Sequence, residues 1–128
     1  MNIERLKNYP KAEEVFYKWA VDKLNTPNAR TLIEAWNNNN ILNGAVEKIL
    51  TEFFDEQGIY LNGTTNYSFW HSIGNGRIVT MFNEPPNLTF GYIIQTIEKN
   101  YKDTNYFSRQ QAFDFGIEKC FEILEGKK

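Results

Sequence analysis

The sequence predicts an α+β fold: N-terminal helices, a small antiparallel sheet centred on a hairpin (66–83), and a C-terminal helix packed on the sheet. Three observations predict it. Up to Phe54, apolar residues recur at spacings of three and four. Beyond Gly58 the period changes to two, around an Asn75-Gly76 turn. Behind Ser108 the helical spacing returns.

The first helix is expected over residues 10 to 24. Pro10 suits the first helical position, where the N–H it lacks has no partner to lose. Ala12, Val15, Phe16, Trp19, Ala20 and Leu24 make its apolar face. Thr26-Pro27 repeats the start signal, with Thr26 as the expected cap. Ala29, Leu32, Ile33 and Trp36 give the second helix its face. Asn37 to Asn40 reads as a loop, because Asn side chains compete with the helix backbone. A third helix is expected from about Ile41 to Gln57. Ile41, Ala45, Ile49 and Phe53 form one row, and Leu42, Val46, Leu50 and Phe54 the next. Gly58 is placed to close it in the left-handed conformation.

Ile59-Tyr60-Leu61 reads as a short strand. Residues 66 to 73 and 77 to 83 read as a hairpin, since Asn-Gly favours the type I′ turn. That turn sets the register: Ile73 faces Ile78, His71 faces Thr80, and Phe69 faces Phe82. Trp70, Ser72, Val79 and Met81 then share the opposite face. Residues 88 to 97 fit either period; their Thr, Tyr and Ile content and Gly91 favour a strand. Ser108 to Gln111 is a capping box for the last helix. Phe113, Ile117, Cys120, Phe121 and Leu124 form its buried face. Ala112, Gly116 and Cys120 form a row of small residues that would let the helix sit close to the sheet.

Length and composition bound the rest. The 128 residues make one domain, with a helical part at 1–57 and the sheet plus C-terminal helix at 58–126. With 41% hydrophobic residues and a net charge of -2, a packed core is expected, and sequence-independent nucleic-acid binding is disfavoured. No apolar run is long enough for a membrane span, and Met1 to Lys7 carries no export signal. The expected location is therefore cytoplasmic. The single cysteine, Cys120, excludes an intrachain disulfide and reads as a small buried hydrophobe.

Glu47-Lys48-Ile49-Leu50, Gly58-Ile59-Tyr60-Leu61, Phe69-Trp70, Ser72-Ile73 and the run Tyr106 to Ala112 with Gly116 to Lys119 resemble small uncharacterised phage and prophage proteins of Bacteroidota-type bacteria. The pattern covers about residues 45–125. It implies a compact α+β fold and a mobile-element origin, and supplies no activity. The order helix–three strands–helix also resembles double-stranded-RNA-binding domains. Where that family has a Lys-rich helix start, this chain has Ser108-Arg109-Gln110-Gln111, with one basic residue.

No nucleophile motif, metal-ligand spacing or cofactor fingerprint is present in the sequence. A lone His cannot build a metal site, so His71 is a candidate only for a small-ligand site. The suggestive surface is the face of Trp70, Val79 and Met81 with Arg77 beside it, since Trp, Met and Arg are enriched at protein interfaces. The leading expectation is a non-enzymatic binding protein acting by protein–protein contact, on a host or phage protein or on itself. Inhibition of a host defence or regulatory protein is its most concrete form. The alternatives are a ligand binder or enzyme around His71, and an RNA binder using Arg109, Lys102 and Lys99. The first alternative calls for a pocket, the second for a continuous basic stripe. No cofactor is expected.

Overall fold

The computed structural model describes residues 3–39, 42–68, 70–74, 77–81 and 87–127, with the side chains of residue 43 and residues 65–88 outside the description. The α+β class stands. A short 3-10 helix, Ile3–Asn8, leads into α1 (Pro10–Leu24), α2 (Ala29–Asn37) and α3 (Asn43–Glu56). Five strands follow: β1 (Tyr60–Ser68), β2 (Trp70–Gly74), β3 (Arg77–Met81), β4 (Asn87–Gln95) and β5 (Asn100–Tyr106). The last element is α4 (Arg109–Lys127).

The strands form two ladders. β1, β4 and β5 make a three-stranded antiparallel sheet in the order β1–β4–β5, and β2 pairs with β3 alone. The pairings are nested: Ser68 meets Asn87 at the end of the first ladder, and Trp70 meets Met81 at the start of the second. Along the chain the hairpin is therefore enclosed between β1 and β4, while α4 packs on β4, β1 and β5. His71 faces Thr80 and Ile73 faces Ile78, as the turn chemistry predicts. The expected Phe69–Phe82 pair lies outside the described residues.

Several expected boundaries move for local reasons. The short strand at Ile59 extends to Ser68, because Asn62 to Asn66 find partners on β4 that the sequence does not announce. The ambiguous 88–97 segment is a strand, and β5 was not foreseen at all. Thr26 does not cap α2. Its hydroxyl accepts the Asn28 amide at 3.2 Å in a local turn, and the helix starts two residues later with Asn28 at the cap position. Gly58 takes φ +74°. The Ile59 amide bonds the Phe54 carbonyl and the Gly58 amide the Asp55 carbonyl, which closes α3 in a Schellman motif.

The core joins α1, α3 and α4 through four fully buried phenylalanines. Phe16 meets Phe53 at 5.1 Å and Phe121 at 5.9 Å, and Phe54 meets Phe121 at 5.0 Å, all near edge-to-face. Ala29 and Ile33 bring α2 to this core. The N-terminal end of the predicted α3 stripe is not buried: Leu42 and Ala45 are exposed. On α4 the small-residue row behaves as expected. Ala112, Gly116 and Cys120 are buried, and a Cβ on Gly116 would lie 2.8 Å from Leu61 Cδ1 and 3.2 Å from Tyr92 Cγ.

Polar ties fix the helices to one another. Tyr9, at the cap position of α1, gives no side-chain cap. The carboxylate of Glu125, at the far end of α4, accepts the Ala12 amide at 2.8 Å in its place. Glu118 accepts the Tyr9 hydroxyl at 3.2 Å and pairs with Arg5 at 3.2 Å.

Candidate functional site

The sheet has two unlike faces. Leu61, Tyr92, Ile94 and Tyr101 lie towards α4, as the β1–β4–β5 register and the Lys119–Tyr101 contact require. The row Asn62–Ile93–Lys102 and the row Tyr60–Gln95–Asn100 lie on the other side.

Near the Phe90–Tyr106 end of the sheet, the ladder is distorted. Phe90 faces Tyr106 and Tyr92 faces Asp103, so Gly91 is opposed by two residues of β5, Thr104 and Asn105. The β5 backbone crosses close over Gly91. A Cβ there would sit 2.1 Å from the Asp103 carbonyl oxygen and 2.6 Å from Thr104 Cα. The Thr64 hydroxyl oxygen is buried beside this crossing with no hydrogen-bond partner among the described residues.

Beside the bulge a cleft of about 460 Å³ opens between β1, β4, the first turn of α4 and the start of α3. Leu61, Phe90, Tyr92 and Phe113 supply its apolar walls, and Gly63 and Gly91 leave it room. Its charged groups are Arg109 and Glu47. The Arg109 guanidinium stacks on the Phe90 ring, 5.6 Å from its centroid. Among the described residues it pairs with no carboxylate, Glu47 included. Ser108 caps α4 as the sequence predicts: its hydroxyl accepts the Gln111 amide at 3.1 Å. The Gln111 side chain reaches back to the Phe107 amide at 3.0 Å, one residue earlier than an ordinary capping box. That closure leaves the Phe107 ring 87% exposed beside the cleft's Arg109.

Tyr92, which lines the cleft, is the end of an aromatic stack. Tyr92 stacks on Tyr106, and Tyr106 on Phe115 at 5.0 Å. Tyr106 donates to Asp103 at 2.7 Å. Burial, and then that bond, push the Tyr106 phenol up; burial also raises Tyr92. Both remain neutral hydrogen-bonding groups at physiological pH. Burial pushes the Cys120 thiol up as well, which fits its predicted role as packing.

The residues singled out in the sequence fall elsewhere. The β2–β3 register sets Trp70 opposite Met81 and Ser72 opposite Val79, with Gly74 opposite Arg77. It sets His71 opposite Thr80. What the side chains of Trp70, Val79, Met81, Arg77 and His71 touch lies outside the described residues. Arg109, Lys102 and Lys99 do not share a stripe. Lys99 and Lys119 each lie over the Tyr101 ring, at 5.0 and 5.3 Å from its centroid, and Lys102 belongs to the opposite face. Ten residues, about 15 Å of helix, separate Arg109 from Lys119. The meeting of Arg109 with Phe90 was missed because a helix cap and an ambiguous strand carry no sequence sign of contact.

Among the described residues no group of His, Cys, Asp and Glu is placed to hold a metal, and no helix is long and apolar enough to cross a membrane. No family model, curated protein or solved structure matches the chain.

Proposed function

We propose that the protein is a non-enzymatic binding protein acting by protein–protein contact, and that the contact is strand addition at the outer edge of β1. The contrast between the two edges of one sheet carries this reading. β5 is blunted in the ways edge strands usually are: it holds a bulge, and Lys102 and Asp103 interrupt it. β1 has none of these devices. Between Glu56 and Arg77 there is no Asp, Glu, Lys, Arg or Pro. No described strand pairs with its outer edge, and Tyr60, Asn62 and Gly63 are exposed. A nine-residue strand offers about 30 Å of unpaired backbone.

The partner is a second copy of the chain. Antiparallel pairing about Thr64 sets Tyr60 against Ser68 and Asn62 against Asn66, so no like charges meet. A six-stranded sheet would result. The resemblance to phage and prophage proteins gives the same edge a second use, on a strand of a host defence or regulatory protein.

Sedimentation velocity across a concentration series tests the reading. The wild type should shift from monomer to dimer, and Asn62→Lys should return it to a folded monomer whose melting temperature matches that of the wild type at concentrations where the wild type is monomeric. A wild type that stays monomeric at every concentration, or an Asn62→Lys variant that associates equally well, refutes it.

A further inference from the structure

We infer that the cleft beside Gly91 is a binding site for a small monoanion with an apolar or aromatic body. The inference does not rest on strand pairing: the cleft's charged and aromatic groups come from α3, β4 and α4, and Leu61, Gly63 and Thr64 of β1 complete its wall.

The cleft's volume, about 460 Å³, lies in the range of small-molecule sites. Leu61, Phe90 and Phe113 give it apolar surface among polar groups. Within them stands one guanidinium, Arg109, which the protein leaves without a carboxylate partner among the described residues. Its guanidinium lies over the Phe90 ring, 5.6 Å from the centroid, and its N–H fork is open to take an anionic oxygen pair. Glu47 on the same wall set limits the ligand to one negative group, since a second would meet a like charge. The shared chemistry is thus an acidic head on Arg109 and an apolar body against the rings.

Gly63 supplies a way to close the site. It lines the cleft, its φ is not positive, and a Cβ built on it meets no atom within 4 Å. The first side-chain carbon at this position therefore meets open space, and Gly63→Val is the variant that should fill it.

Two fluorescent probes of the same ring frame separate the parts of the inference. 8-Anilinonaphthalene-1-sulfonate carries one negative charge, and N-phenyl-1-naphthylamine carries none. The wild type should bind both. Gly63→Val should lose both. Arg109→Gln should weaken the sulfonate by about tenfold or more, the loss of one charged hydrogen-bonded contact, and leave the neutral probe unchanged. Arg109→Lys should recover part of the sulfonate's affinity. Circular dichroism and melting confirm that each variant is folded. Binding of neither probe by the wild type overturns the site. Undiminished binding by Gly63→Val shows that the probes sit elsewhere and also overturns it. Equal loss of both probes in Arg109→Gln overturns the anionic ligand class.

Discussion

Gly91→Ala is the sharpest probe of the fold. The added methyl would lie 2.1 Å from the Asp103 carbonyl oxygen and 2.6 Å from Thr104 Cα. Ordinary carbon contacts are about 3.5 to 4 Å. Both neighbours are backbone, so no rotamer change relieves the clash; β5 itself must move by about 1 Å or more. That movement loosens the pairing of Tyr92 with Asp103 and the stack of Tyr106 between Tyr92 and Phe115. Overpacking of this kind costs about 1 to 3 kcal/mol, and the backbone neighbours put this site at the upper end. The unfolded chain loses some freedom with alanine, which offsets about 0.4 to 1 kcal/mol. A net loss of about 2 to 2.6 kcal/mol follows. With an unfolding entropy of about 2.1 cal/mol/K per residue, 128 residues give about 0.27 kcal/mol/K, so the melting temperature should fall by about 7 to 10 °C. Thermal melting followed by circular dichroism measures it. Gly116→Ala is the internal control. Its nearest neighbour is a Leu61 methyl that can rotate, and a helical alanine gains about 1 kcal/mol over glycine, so the net change should stay within about 1 kcal/mol. A Gly91→Ala protein that melts within about 2 °C of wild type would refute the close crossing of β5.

Glu125→Ala should cost about 1 kcal/mol in chemical denaturation, because it removes the carboxylate that caps α1 across the fold. Thr64→Val should leave stability unchanged or raise it by about 1 kcal/mol, because its buried hydroxyl has no described partner to lose; a clear loss would mean the hydroxyl is hydrogen-bonded. The Cys120 thiol should resist thiol reagents in the folded protein and react once denaturant unfolds it, since burial keeps it protonated and covered. Burial raises the Tyr17 phenol from 10.0 to about 12 and raises Tyr92 as well. The folded state therefore keeps protons the unfolded state has released. This contribution to stability is complete below about pH 10 and is lost as pH rises towards 12, which denaturation midpoints at pH 9 and pH 11 would reveal.

What the sequence could disclose followed the range of each interaction. The capping box at Ser108, the αL glycine at 58 and the Asn75-Gly76 register are set within a few residues, and they were legible. The faces of α1 and α4 were legible too, because one helix period records one burial pattern. β5 was not. Asn100 to Tyr106 carries charge and polar groups on both sides, since it is an edge strand whose inward residues, Tyr101 and Tyr106, are only half-buried. Its strand character comes from pairing with β4, which no local signal encodes. The cleft was hidden for the same reason. Arg109 and Phe90 lie nineteen positions apart, and only the β4–β5–α4 connection brings them together.

The two glycines of the cleft have different causes, and the difference can be measured. Gly91 answers a steric demand, because β5 backbone occupies the space of its side chain. Gly63 answers none: nothing stands within 4 Å of its missing Cβ, and its φ is not positive. A glycine within a strand forgoes β propensity and backbone order, a disadvantage of up to about 1 kcal/mol. Valine at 63 should therefore raise the stability of the folded protein by about 0.5 to 1 kcal/mol, or about 2 to 4 °C in melting temperature. If it does so while abolishing probe binding, the open space at 63 is maintained at the expense of stability, the trade expected where a site and not the fold requires the residue. If Gly63→Val instead destabilises the protein, the space beside it is needed by the fold, and the glycine gives no support to a binding site.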